Sequence, residues 1–269
     1  MMALNKKLLP LSAALCLLGT GSAMAASFVG GGTDGSLWSD NANWSGTAPL
    51  PNSSVSTLYF KNGTTTAAIY SSTQGTTTET FDFHVGDLAG GDGSLTMTGG
   101  ILNVNNTWGI IIGQQSTGIM TIDGGSFNQI NDKPFRIRNS TAGNGTINLL
   151  SGSLTSASTD VQLNTNGQFN IVDGTASFAS VFAAATGGLD FTSTGTGSLT
   201  MVGADLAYYQ GLFNGDVLTI DGVDKTGGAV FASSFNVSGT TLSVIPESST
   251  YALLAGLTGL TFVMVRRRR

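Results

Sequence analysis

The amino-acid sequence predicts an all-β protein whose body is a parallel β-solenoid (β-helix), and three observations predict it. Glycine supplies 38 of the 269 residues and Ser, Thr and Asn abound, while Lys and Glu are scarce, so turn formers and β-branched residues outweigh helix formers. Apolar residues alternate with small polar ones in short runs, which is the period of a strand with one buried face. The alternation also recurs as a unit. Gly93-Ser94-Leu95-Thr96-Met97-Thr98-Gly99-Gly100 is answered position by position by Gly118-Ile119-Met120-Thr121-Ile122-Asp123-Gly124-Gly125, and further copies open at Gly145, Gly167 and Gly197. The opening glycines lie 25, 27, 22 and 30 residues apart. One such unit cannot bury its apolar side alone, whereas stacked units build a continuous core, and a period in the twenties suits two or three short strands per coil. A sandwich of antiparallel hairpins also accounts for alternation broken by glycine turns, but it does not require the whole unit to repeat.

At the N-terminal end, Lys6 and Lys7 precede an apolar stretch over residues 8–19, and Ala23-Met24-Ala25 offers the small-x-small pattern of a signal-peptidase site. Residues 1–25 therefore read as a signal peptide, which predicts export through the Sec machinery, cutting by signal peptidase and a mature chain from about Ala26. The single cysteine, Cys16, falls inside this segment behind Leu15 rather than a small residue, which argues against lipidation. The mature chain has no cysteine, which excludes disulfides, a thiol nucleophile and a thiolate zinc site.

Residues 26–60 read as an N-terminal cap. Leu37-Trp38-Ser39-Asp40-Asn41-Ala42-Asn43-Trp44-Ser45 is followed by Ala48-Pro49-Leu50-Pro51 and an apolar strand over 55–60. Trp38 and Trp44 suit a loop that folds two rings over the first open coil, since an uncovered solenoid end exposes apolar surface and unpaired strand edges. Stacking of the same rings on sugar faces is the rival reading. Residues 61–241 form the coil. Runs such as Trp108-Gly109-Ile110-Ile111-Ile112-Gly113 and Val181-Phe182-Ala183-Ala184-Ala185 supply its other sides, and Asn103, Asn128 and Asn148 are expected as polar ladders inside it. Over roughly residues 36–205 the Trp…Asn-Trp…Pro opening and the glycine-rich repeats resemble the autotransporter-type β-strand repeats of surface proteins. That resemblance implies a surface-exposed, passenger-like coil and no particular activity. Residues 206–244 are less regular, with Tyr208, Tyr209 and Phe213 expected to close the lower end.

The tail, residues 242–269, combines Ile245-Pro246-Glu247-Ser248-Ser249-Thr250-Tyr251, an apolar segment over 252–265 and Arg266, Arg267, Arg268 and Arg269. Fourteen apolar residues fall short of the roughly 20 that a helical span prefers, and the Arg cluster sets the orientation with the body outside the inner membrane. An ordinary tail anchor needs no more than this. The fixed order of Pro-Glu motif, apolar helix and Arg cluster over 244–269 resembles the PEP-CTERM sorting domain of Gram-negative bacteria, with Ser248 where that family has a second proline. The resemblance implies a sorting signal built from Pro246, Glu247 and Arg266 to Arg269, transient anchoring in the inner membrane by a transmembrane helix, and recognition by an exosortase-like membrane protease. The cell surface or the medium is then the destination, and exopolysaccharide a partner.

Between the two processing sites lie all 16 acidic residues against five basic ones, Lys61, Lys133, Arg136, Arg138 and Lys225, a net charge of −11. Such a body repels nucleic acid. Catalytic signatures are thin. The one histidine, His84, sits in an alternating strand run, and no Gly-x-Ser-x-Gly elbow surrounds a serine nucleophile, so no catalytic residue is assigned. Asp82, Asp87 and Asp92, five apart, suggest calcium, but each lies in or beside a glycine turn, where Asp is common for backbone reasons. No cofactor and no metal site is assigned. Arg136 and Arg138 alternate along one strand and form the best candidate for glycan contact. Asn62-Gly63-Thr64 and Asn144-Gly145-Thr146 match a glycosylation acceptor and equally a turn. Three function classes follow: a surface-sorted, non-enzymatic structural or matrix protein, which these features favour; a carbohydrate-binding or adhesion module; and a polysaccharide lyase or hydrolase.

Overall fold

The computed structural model of the protein describes residues 26–30, 37–45, 57–79, 81–86, 91–139, 142–224, 227 and 229–245. The expected signal peptide and the tail from Pro246 onward lie outside them. Among the described residues no helix is long and apolar enough to cross a membrane.

The body is a parallel β-solenoid of about six coils with three faces. Two short strands, β1 (Ala26–Phe28) and β2 (Trp44–Ser45), precede the coils. The first coil is β3 (Thr57–Phe60), β4 (Ala68–Tyr70) and β5 (Thr76–Glu79); the second is β6 (Asp82–Val85), β7 (Gly93–Met97) and β8 (Ile101–Val104). In the next two coils one bent strand covers two faces, so β9 (Ile110–Ile112) is followed by β10 (Thr117–Gln129) and β11 (Phe135–Ile137) by β12 (Asn144–Ser156). The fifth coil is β13 (Val161–Leu163), β14 (Gly167–Ile171) and β15 (Thr175–Phe178), and the sixth is β16 (Phe182–Ala185), β17 (Gly188–Phe191) and β18 (Ser198–Met201). The first strands of the coils form an 8-stranded sheet with β1 and β2. The others form a 13-stranded sheet that folds into the second and third faces, because β10 and β12 run through its corner. The pairing between coils is parallel throughout, which rules out the hairpin sandwich.

The repeated glycine has a steric cause. Gly93, Gly118, Gly145 and Gly167 stack in register at the start of the second face. A Cβ on Gly118 would stand 2.0 Å from the carbonyl oxygen of Val85, where the first face of the preceding coil turns into the second. Only glycine fits a corner this tight. The alternating residues then fill the interior in columns: Phe83, Ile110, Phe135 and Val161 from the first face, Leu95, Met120, Ile147, Phe169 and Leu189 from the second, and Leu102, Phe127, Leu154 and Leu199 from the third. All are fully buried, and burying a side chain of this size stabilises by about 1.5–3 kcal/mol. Phe83 meets Phe127 edge to face with ring centroids 5.2 Å apart, so the first and third faces lock across the core.

The repeat that opens at Gly197 belongs elsewhere than its sequence match suggests. Leu199 and Met201 stack on Ala176 and Phe178 of the third face, while the second face of the sixth coil is Gly188-Leu189-Asp190-Phe191. Its 30-residue spacing therefore compares strands on different faces. The Asn ladders are also placed differently: Asn103 and Asn128 stack on the third face and Asn148 on the second, all pointing outward and half-buried rather than inside the coil. Gln129, Ser156 and Asn106 are instead among the buried polar residues, with the Ser156 hydroxyl donating to Gln129 Oε1 at 2.5 Å.

Both ends are closed. β1 pairs in parallel with β3, and β2 closes antiparallel on β1. Trp38 and Trp44 are each 5% exposed, with ring centroids 5.2 Å apart; Trp44 Nε1 donates to the carbonyl of Trp38, and Trp38 packs edge-on against Tyr70 of the first coil. The ring pair is a lid of the coil, and its burial removes sugar stacking as its role. β3 already belongs to the first complete coil, so the cap proper ends before Thr57. At the other end α1 (Leu206–Asn214) is capped by Asp205 and buries Tyr209, Leu212 and Phe213, as the sequence leads one to expect for Tyr209 and Phe213. Burial raises the hydroxyl pKa of Tyr208, and raises that of Tyr209 well above the usual range. β19 (Leu218–Ile220) extends the second face. After α2 (Phe231–Ser234), β20 (Phe235–Ser238) and β21 (Thr241–Val244) form a hairpin that seals the third face antiparallel to β18.

Candidate functional site

The outward side chains of the first face differ from coil to coil. Alternation sends Leu58 and Phe60 of β3 inward, which leaves Tyr59 outside; in the same row follow His84, Ile111, Arg136 and Gln162 from successive coils. A groove of about 320 Å3 opens over Tyr59, His84, Ile111 and Arg136 of this row, lined also by Asp82, Trp108, Gly109 and Gln114.

Trp108 dominates it. The indole is 78% exposed, at the corner where the third face turns into β9. Its backbone is held from below: Asp82 Oδ1 accepts the N–H of Thr107 at 3.0 Å and that of Trp108 at 2.6 Å, while Asp82 itself is buried. Gly109 follows at φ +148, where a Cβ would stand 2.7 Å from the carbonyl oxygen of Pro134, so the groove floor beside the indole is bare backbone. On the other side Tyr59 and His84 lie ring against ring with centroids 5.0 Å apart, and Lys61 Nζ sits 4.8 Å over the Tyr59 ring. His84 Nδ1 is 2.9 Å from Gln114 Oε1. Arg136 Nη2 stands 3.5 Å from Asp160 Oδ2, a partly exposed pair of the kind that adds little stability but fixes a side chain's direction. The arrangement offers one flat aromatic face beside a carboxylate, an amide and a guanidinium.

Arg138 does not share this groove. β11 ends at Ile137 and Arg138 turns to φ +64, which sends its side chain into the next corner, where Nε donates to the carbonyl of Gly143 and Nη1 to that of Thr165. Strand alternation on paper misses a turn that follows one residue later. Asp82 and Asp92 are not brought together as a cation site, and Asp87 lies outside the described residues. Asp92 Oδ1 accepts the N–H of Thr117 in the next coil, Asp132 Oδ1 that of Thr159 and Asp173 Oδ1 that of Thr196. Corner aspartates thus clamp the following coil. Hydrogen bonds from the Thr159 backbone and hydroxyl hold the Asp132 carboxyl below its usual range. Among the described residues no group of three His, Cys, Asp or Glu side chains could hold a metal ion. Asn62 of one candidate glycosylation triplet is engaged: its Nδ2 donates to the carbonyls of Thr66 and Ser94, and its Oδ1 accepts the N–H of Ser94. Ala23, Ala25, Pro246, Glu247 and Arg266 to Arg269 all lie outside the described residues.

Sequence reasoning missed Trp108 and Tyr59. Trp108 was hidden at the head of an apolar run; the signal for it is an aromatic residue directly before a turn glycine, where the alternation stops and no inward position waits for the ring. No protein-family model, no curated protein and no solved structure matches the chain.

Proposed function

We propose that this chain is an exported, surface-sorted structural protein of the extracellular matrix, processed at its C-terminal signal, that works as a stable coil rather than as an enzyme. The observation that carries this reading is a solenoid closed at both ends that lies, in sequence, between the two expected processing segments. β1 and β2 cover the first coil, and the last hairpin, which ends at Val244, seals the third face. Ile245 N donates to the carbonyl of Ser234 at 2.8 Å, and Pro246-Glu247 follow at once. A coil closed at both ends suits a protein that is anchored, cut and then left outside the cell. Intact-mass analysis of the protein from the host's envelope and medium tests it. The expected species begins near Ala26 and ends near Pro246-Glu247. A chain that still ends at Arg269 and stays in the inner membrane replaces sorting with a simple tail anchor.

The second reading, a carbohydrate-binding module, is favoured by the exposed Trp108 and its polar neighbours in the first-face groove.

A further inference from the structure

We infer that the first-face groove binds a neutral polysaccharide, with one pyranose ring stacked on the indole of Trp108. The inference deepens the matrix reading, since it names what an extracellular coil would hold, and rests on that reading for the source of the glycan.

Three observations carry it. The first is the ring. Large exposed aromatic side chains cost hydration and are normally covered; the other two tryptophans of this chain are each 5% exposed, whereas Trp108 is 78% exposed. Its position is also fixed from the backbone by Asp82, which spares a ligand the cost of ordering the loop. An exposed indole on a fixed stretch of backbone, beside the bare floor at Gly109, presents a flat face onto which the C–H bonds of a sugar ring can settle.

The second is the polar rim. Sugar hydroxyls need fixed donors and acceptors at the edge of the ring, and pockets of this kind supply a few placed polar groups on an apolar wall. Asp82 lines the groove with both backbone bonds on Oδ1 and none of them on Oδ2. Gln114 and Arg136 lie on the same groove, held by His84 and Asp160 respectively. The row Tyr59, His84, Ile111 and Arg136 spans four successive coils, roughly 14 Å at the usual strand spacing, so the groove accepts a stretch of chain rather than a lone monosaccharide.

The third is charge, which selects the class. Arg136 faces Asp160 at 3.5 Å and Lys61 over Tyr59 offsets the Asp82 carboxylate, so the groove has no net positive charge, while the region between the two processing sites carries 16 acidic residues against five basic. A polyanionic glycan would meet a repulsive field, while a neutral one would not.

Affinity electrophoresis of the full chain in a polyoxyethylene detergent, which carries no sugar head group, tests the inference. The gels hold dextran, laminarin, galactomannan or hydroxyethylcellulose, with alginate and polygalacturonate as the acidic pair. At least one neutral gel is expected to retard the protein. Trp108→Ala should weaken that retardation about tenfold or more, Trp108→Phe should keep part of it, and Arg136→Ala should weaken it severalfold. Because the indole is exposed, Trp108→Ala should leave the thermal midpoint in place. Retardation by no neutral polysaccharide, retardation by the acidic pair alone, or equal retardation of Trp108→Ala each overturns the inference. The outcome is separable from that of the sorting reading: a chain that binds but still ends at Arg269 sinks only the sorting, and a correctly cut chain that binds nothing sinks only the groove.

Discussion

The first and third faces of the coil are built by the same alternation, yet their outer surfaces follow opposite rules. On the third face like sits on like. Thr78, Asn103, Asn128 and Thr155 stack in one register row, and each bonds the next: Asn103 Nδ2 to Thr78 Oγ1 at 3.3 Å, Asn128 Nδ2 to Asn103 Oδ1 at 2.9 Å, Thr155 Oγ1 to Asn128 Oδ1 at 2.7 Å. A second row adds Ser153 donating to Ser126 at 2.8 Å. On the first face the equivalent row runs Tyr59, His84, Ile111, Arg136 and Gln162, with no residue type repeated. In a solenoid identical neighbours satisfy each other's polar groups, so repetition on the outside is a structural device. Where the repeat is abandoned, contacts such as Tyr59 on His84 persist, but among the described residues no polar ladder runs from coil to coil. That contrast is what places the proposed glycan groove on the first face rather than the third.

The core should not respect the contrast at all. Phe127 points inward from the third face and meets Phe83 of the first, so Phe127→Ala should cost about 4 kcal/mol of stability and loosen both faces together. Urea unfolding followed by separate probes on the two faces checks this; a loss confined to the third face breaks the picture of one shared core. The corner glycines come next, because the clash at Gly118 is with backbone: Gly118→Ala should cost about 3 kcal/mol in the same assay.

The ladder and the groove should then separate cleanly. Asn128→Ala removes two side-chain bonds on a half-buried surface and should cost about 1–2 kcal/mol without touching polysaccharide retardation. Trp108→Ala should do the reverse, shifting stability by less than about 0.5 kcal/mol while weakening retardation about tenfold or more. A ladder variant that weakens binding as much as the groove variant would erase the distinction between the faces.

The smallest effect concerns the corners that lead into the first face. Asp132 is held below its ordinary value of 3.8 by Thr159, so the unfolded chain takes up the proton first as the pH falls. Its stabilising effect is complete above the unfolded value and disappears as the pH drops through the lowered folded one. Asp132→Asn should therefore flatten the acid limb of a denaturation-midpoint profile below about pH 4, close to the ordinary value, and leave the neutral region parallel to the wild type. An unchanged acid limb would remove Asp132 from the set of coil clamps.

What was legible in the sequence follows the same division. The second face could be read because Gly93, Gly118, Gly145 and Gly167 occupy a corner that tolerates no side chain, and steric necessity repeats itself in letters. The tryptophan lid was legible for a related reason, since two large rings among small polar residues have few places to go but over an open end. The sixth coil was misread at Gly197 because its match by letters ignores the intervening strand Gly188–Phe191, whose Asp190 replaces the Thr or Asn of the other copies. The groove was not legible because strands of three or four residues carry too little alternation. In Ile110-Ile111-Ile112 the outward Ile111 looks the same as its inward neighbours. Arg138 was paired with Arg136 as a glycan contact by a period that ends at Ile137.

Hydrogen–deuterium exchange of the full chain, with and without the neutral polysaccharide that retards it, tests the contrast most directly. The account predicts added protection at residues 82–84 and 107–111, with residues 126–129 and 153–156 of the third face unchanged. Added protection on the third face, or spread evenly over the coil, would contradict it.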